Sequence, residues 1–263
     1  VSYLNTLPLI EGLGKLADVA LTLTAPSRLI DLLTSGDVDV ALASIIDAQR
    51  SPVPLALLPV GMIGSNGRTL TVRVFSKVPI DRIDRVHADI DSHTSIALLR
   101  VLLAERYGIH PFFVGHDAYA PRDASDFAPA TLLLIGDKVI THSPDAGEYP
   151  HQLDLGEAWS EATGLPFVYA AWMCRDADVE SDSVKGAAAI LDRQRRHNAT
   201  RLPWIAAARA PARDWPVELA ASYLTEHLRF AVGDDERRSV DHFFRLCREH
   251  GVLDQPKPVR WLD

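Results

Sequence analysis

Small polar residues collect wherever an extended run of this sequence gives way to a helical one. Asn5 and Thr6 follow residues 1–4, Ser44 follows 38–43, and Gly136 and Asp137 follow 132–135. Ser92, Thr94 and Ser95 open the run 96–107. Each alone reads as a helix cap, because Ser, Thr, Asn and Asp side chains accept from the free amides of a first turn. Four such junctions on one edge of two facing sheets make a different object. Amides at helix starts, supplemented by hydroxyls, hold carboxylates or phosphates. An Asn adds a neutral donor and acceptor for a substrate hydroxyl. Arg73 shares the polar face of the run 69–76 with Thr69 and Thr71. It can pair with a ligand carboxylate or with an acid across a lobe interface. His93 is of a type that titrates near neutrality. Asp137 can serve as acid, as base, or as the cap of the helix that follows it.

Other chemistries find little support. Ten histidines occur, but neither HExxH nor CxxC. His242, Cys247 and His250 share one helical run, yet at 100° per residue His242 stands about 140° from Cys247 and about 80° from His250. Three ligands do not converge from there, so no metal is expected. GxSxG, GxGxxG and the Walker A loop are missing too, and no cofactor is expected. Lys plus Arg number 27 against 35 Asp plus Glu, a net charge of −8 with no basic cluster. Nucleic acid and membrane are therefore not expected partners. An anionic ligand must be held by local dipoles and a few placed arginines. Two isolated cysteines, Cys174 and Cys247, fit a reducing compartment. The most apolar run, 54–63, is broken by Pro59 and Gly61 and falls short of the ~20 residues that span a bilayer. No basic segment followed by an apolar one opens the sequence, and the expected location is the cytoplasm.

The elements that must position these residues alternate. Residues 1–4, 19–24, 38–43, 69–76, 111–114, 131–135 and 167–173 read as strands. Pro26 and Ser27 open a helix closed by Gly36. The strongest helix, 96–107, carries Ile96, Leu99, Leu102, Leu103 and Tyr107 on one stripe and stops at Gly108. Another spans 155–162 ahead of Gly164. Strands alternating with helices of this length imply parallel βαβ units. From residue 179 onward only amphipathic helices are predicted, over 184–195, 202–208, 217–230 and 236–250. Trp159, Tyr169 and Trp172 are expected in the core. The pattern predicts an α/β protein of two lobes joined by two crossovers, near 75–79 and 167–173, with a helical C-terminal tail. Lobe one then comprises 1–75 with 173–263, and lobe two 76–172. Ligands in such folds sit outside the C-terminal ends of parallel strands or between lobes.

The junctions also carry a likeness. Val1-Ser2-Tyr3-Leu4-Asn5-Thr6-Leu7-Pro8-Leu9 resembles the opening of the chorismate dehydratases of the futalosine route to menaquinone. The resemblance continues through Gly36-Asp37-Val38-Asp39-Val40-Ala41-Leu42, Val72-Arg73-Val74-Phe75-Ser76-Lys77-Val78-Pro79 and Ser92-His93-Thr94-Ser95. Leu134-Ile135-Gly136-Asp137, Asp154-Leu155-Gly156-Glu157-Ala158-Trp159 and Thr163-Gly164-Leu165-Pro166-Phe167 complete it, in order, over roughly two-thirds of the chain. It implies a two-lobe fold similar to type II periplasmic binding proteins, with mixed or parallel sheets and an interlobe cleft. It also implies a lyase that dehydrates chorismate to 3-[(1-carboxyvinyl)oxy]benzoate, working as a monomer or homodimer. Asn5 matches the family's active-site Asn, and Thr71 stands where other members carry a Ser. Those two are the expected catalytic residues. Tyr3, Ser44, Arg73, Ser92, His93, Thr94, Ser95, Gly136 and Asp137 are the expected substrate-binding set. His93 departs from the usual Arg, leaving Arg68 or Arg73 to supply positive charge. A solute-binding protein for a small carboxylate and the related 1,4-dihydroxy-6-naphthoate synthase share the architecture.

Overall fold

The computed structural model describes residues 3–119 and 128–262. In chain order the helices are α1 (Leu7–Ile10), α2 (Pro26–Ser35), α3 (Asp47–Arg50), α4 (His93–Tyr107), α5 (Lys138–Thr141) and α6 (Leu155–Thr163). The tail adds α7 (Asp182–Ala199), α8 (Leu202–Arg209), α9 (Val217–Ser222) and α10 (Asp234–Glu249). The strands are β1 (Ala41–Ser44), β2 (Leu55–Ser65), β3 (Val72–Ser76), β4 (Arg85–Asp89) and β5 (Phe112–His116), then β6 (Thr131–Ile135) and β7 (His151–Asp154). After them come β8 (Phe167–Arg175), β9 (Leu228–Arg229) and β10 (Arg260–Trp261).

Two sheets result. The first runs β1-β8-β2-β10, with β9 also on β2; the second runs β5-β4-β6-β3-β7. Among the described residues, parallel pairing is confined to β4 with β5 and β6, and to β10 with β2; the other ladders are antiparallel. The expected parallel βαβ units thus describe only part of the molecule. Sheet membership also shifts the expected lobe limits of 75/76 and 172/173. β3 belongs wholly to the second sheet and β8 wholly to the first, so the chain changes sheet over 66–71 and 155–166.

One carboxylate pins both passages. Asp154 accepts from the backbone N–H of Thr69 (2.9 Å) and Leu70 (2.7 Å) in the first passage. It also caps α6 through Gly156 (3.1 Å) and Glu157 (3.2 Å) in the second. Leu70 is held at φ 72°, a left-handed conformation costly for a residue with a side chain. A Cβ on Gly156 would fall 2.0 Å from Thr69 Oγ1, so only glycine admits this approach.

A single apolar cluster passes through both sheets, from Ala43, Leu57 and Met62 to Val74, Val86 and Leu133. α4 contributes Leu98, Leu99 and Leu102 to it, and α10 contributes Phe243 and Phe244. Trp159 is 1% exposed at its centre, its indole N–H donating to Pro166 O and Ser239 Oγ. A second cluster packs the tail helices on the first sheet with Leu4, Leu9, Leu42 and Trp172.

Three expectations need correction. Residues 3–4 form no strand, since Leu4–Thr6 is a 3-10 turn whose Leu4 N–H is drawn to the Asp137 carboxylate. The run 19–24 has no ladder; its apolar side chains instead close an apolar cavity of about 380 Å³ with Leu29, Leu32, Trp172 and Leu191. The tail is not purely helical, since it supplies β9 and β10, and the expected helix 217–230 passes from α9 into a π-helical turn, Tyr223–His227. No helix among the described residues is long and apolar enough to cross a membrane.

Candidate active site

The four junctions meet in one cavity between the sheets. Asn5 and Tyr3 come from the N-terminal turn, Ser44 from the end of β1, and Gly136 from the end of β6. Ser92, Thr94 and Ser95 come from the start of α4, and Thr71 from the passage into β3. Gly136 sits at φ 61°, and a Cβ there would lie 2.9 Å from the Tyr3 ring, so this wall position admits no side chain.

Three expected binding residues lie elsewhere. Arg73 is 3.8 Å from Asp154 and 3.3 Å from the Gln152 amide oxygen, outside the cavity wall. Asp137 stands behind the wall, accepting from Leu4 N–H at 3.1 and 3.3 Å and so holding the turn that carries Asn5. Burial pushes its carboxyl up to about 6. His93 Nδ1 reaches Asp47 on α3, at 2.9 and 3.1 Å.

Sequence reasoning passed over much of the remaining wall. Tyr223 enters from the tail because the π-turn after α9 places it there; its hydroxyl is 2.6 Å from Thr71 Oγ1. Tyr169 on β8 hydrogen-bonds Thr69 Oγ1 at 2.7 Å, and Thr69 bonds Ser65 Oγ at 2.9 Å. Burial raises both phenols well above their ordinary range, so they act as neutral hydrogen-bonding groups. Asn5 also contributes a side-chain interaction to the Tyr223 hydroxyl. Nothing in the local sequence marks Tyr223. Asp91 stood one residue before the Ser92 motif, and its position there was a usable signal.

Asp91 is already engaged. Lys138, 1% exposed, bridges Asp91 (3.0 Å) and the fully buried Asp89 (2.8 Å), while Tyr3 and Ser27 hydroxyls donate to Asp91 at 3.3 Å. Among the described residues, two buried polar atoms of the wall find no partner: Asn5 Oδ1 and Ser92 Oγ. Buried polar groups without partners are rare and costly. Beside them the first-turn amides of the 15-residue α4 lack intrahelical acceptors and carry the positive end of its dipole. A small ligand with a carboxylate and a hydroxyl meets these needs. Among the described residues no three His, Cys, Asp or Glu side chains group to hold a metal ion.

A family model described as menaquinone biosynthesis matches residues 1–249. The chain belongs to the menaquinone-biosynthesis family. The chain is also similar to the chorismate dehydratase of Thermus thermophilus, 31% identical over 226 residues, with 79% of each chain covered. Among solved structures, protein AF1704 of Archaeoglobus fulgidus superposes with a TM-score of 0.66 at 15% identity, covering 96% of both chains. The aliphatic sulphonate-binding protein SsuA of Escherichia coli gives 0.58 at 16% identity, covering 88% of this chain and 81% of its own. The family member described here therefore has a periplasmic-binding-protein-like fold.

Proposed function

We propose that the cavity dehydrates chorismate to 3-[(1-carboxyvinyl)oxy]benzoate, a step of menaquinone biosynthesis on the futalosine route, and does so in the cytoplasm. The observation that carries this reading is the pair of unsatisfied atoms, Asn5 Oδ1 and Ser92 Oγ, beside the start of α4. The relative's activity names the substrate, and the wall suits it. Chorismate is a dianion whose ring carries C3–H next to C4–OH. Loss of both as water leaves an aromatic ring, so the driving force lies in the substrate. The protein must position and polarise rather than supply a strong base.

The geometry supports the following roles. The α4 start, with Ser92, Thr94 and Ser95, grips one carboxylate. Asn5 and Thr71 orient the C4 hydroxyl, Thr71 being fixed by Tyr223 at 2.6 Å. Asp91 is occupied by Lys138, leaving the enolpyruvyl carboxylate of the substrate to accept the C3 proton. Purified protein is incubated with chorismate, the loss of diene absorbance is followed, and the product is identified by mass. Loss of one water per chorismate is expected. Binding without turnover would instead make the chain a carboxylate-binding protein, and turnover only of a larger cyclised substrate would make it the naphthoate synthase.

A further inference from the structure

His93 belongs to the motif at the start of α4 but serves the opposite lobe. Its Nδ1 lies 2.9 and 3.1 Å from the two carboxylate oxygens of Asp47, the first residue of α3. The neighbouring pair repeats the crossing, since Ile46 N–H donates to Thr94 Oγ1 at 3.4 Å. Two consecutive residues of the first lobe thus hold two consecutive residues of the second. Ser44, two residues before Ile46, lines the cavity, as do Ser92, Thr94 and Ser95 on either side of His93. Asp47 is 3% exposed, whereas a third of the His93 side chain reaches solvent. The buried carboxylate therefore depends on a partner that can gain or lose its charge with pH.

We propose that His93 is a positioning residue: clasped by Asp47 across the lobes, its imidazolium holds the first turn of α4 in place to grip the substrate carboxylate. This rests on the reading of α4 given under the proposed function. The groups facing the ring are Asp47 and Arg50 on α3 and Asp31 on α2. Hydrogen bonding to Asp47 raises the His93 pKa above its ordinary value, burial and Arg50 oppose this, and Asp31 assists. The sign follows. With the folded pKa raised, the tie is complete below the unfolded value near ~6.5 and is lost as pH rises through the folded value above it.

The test measures KM and kcat for chorismate from pH 6 to 9 in wild type, His93→Arg and Asp47→Asn, together with the His93 titration by NMR and unfolding midpoints over the same range. KM should rise about three- to tenfold with pH in wild type while kcat stays within about twofold, because Asn5 and Thr71 stand on other elements. His93→Arg keeps its charge and should lose the part of the KM slope that His93 causes. Asp47→Asn should lower the imidazole pKa to its ordinary value or below it, because burial and Arg50 still oppose the charge. Asp137, which titrates near 6, is common to all three proteins and cancels in the comparison. A KM slope as steep in His93→Arg as in wild type, or an unshifted imidazole in wild type, overturns the tie. Absence of chorismate turnover at every pH overturns the functional reading instead, and the NMR titration and unfolding midpoints still judge the tie.

Discussion

Replacing Asn5 by Leu should separate folding from chemistry, moving the two in opposite directions. Asn5 Oδ1 is buried without a partner, and such an acceptor costs about 1–3 kcal/mol in the empty protein. The Leu variant removes that penalty but also the side-chain interaction with the Tyr223 hydroxyl, worth about 0.5–1.5 kcal/mol. The net change lies between a loss of about 0.5 and a gain of about 2.5 kcal/mol. At ~2–4 °C per kcal/mol for a chain of this size, Tm should hold or rise by several degrees. Turnover should respond oppositely. A preorganised polar group aimed at developing charge is worth about 10²- to 10³-fold in kcat. Thermal unfolding by circular dichroism and initial rates from the diene absorbance measure both. A Tm drop of more than about 6 °C would show Asn5 to be a structural cap. A kcat within about tenfold of wild type would remove it from the mechanism.

The Thr71–Tyr223 pair should behave as one unit. Tyr223→Phe leaves the buried Thr71 hydroxyl unpartnered and should cost about 1–3 kcal/mol, Thr71→Val leaves the Tyr223 hydroxyl to Asn5 alone and should cost about 0.5–1.5 kcal/mol, and the double variant should cost clearly less than their sum. Strict additivity in urea unfolding would deny the coupling. Lys138→Met leaves Asp89 and Asp91 uncompensated beside the cavity and should destabilise by about 3–5 kcal/mol; a loss below about 1 kcal/mol would mean the acids find other partners. Asp137 is raised to about 6 in the folded protein, so its stabilising contribution is complete below its unfolded value near ~3.9 and fades as pH rises through 6. Asp137→Asn should gain on wild type by up to about 3 kcal/mol between pH 4 and 7, and a pH-independent difference would contradict that assignment.

What was legible in the sequence followed the strength of the local signal. α2 and α4 stop where Gly36 and Gly108 turn left-handed, and both ends were readable from glycine after an apolar stripe. The 11-residue β2 was not read as a strand, because Pro59 and Gly61 read as interruptions of the apolar run 54–63. Its ladder with β8 shifts register between Leu58 and Met62, an irregularity that accommodates Pro59. The cavity was legible through hydroxyls at helix starts, a local property. Arg73 was placed with Thr71 on one face, but Thr71 precedes β3 at the cavity while Arg73 lies a step along the strand, beside Asp154 and Gln152. His93 was misplaced because one helical step turns a side chain by about 100°, off the face shared by its neighbours. Tyr223 depended on a π-turn some 150 positions from its partner Thr71, which no local pattern encodes.

The same architecture can serve as a clamp or as a rigid reaction vessel, and the packing of this chain favours the second. A hinged binding protein needs its passages free to flex while its lobes separate. Here Asp154 ties both passages with four backbone amides, over a glycine that leaves no room for a Cβ. The apolar cluster runs unbroken from one sheet to the other, and α4 sits within it. Opening the lobes widely would expose that shared core at roughly 25 cal/mol for each Å² of apolar surface. The wall groups around Asn5 are accordingly fixed before any ligand arrives: Thr71 by Tyr223, Thr69 by Tyr169, and Asp91 by Lys138. Dipoles already oriented need no reorganisation when charge moves in the substrate. For a dehydration driven by aromatisation, such fixed orientation is the main contribution a protein can make. The unsatisfied atoms at Asn5 and Ser92 are the part of that arrangement left for the ligand to complete.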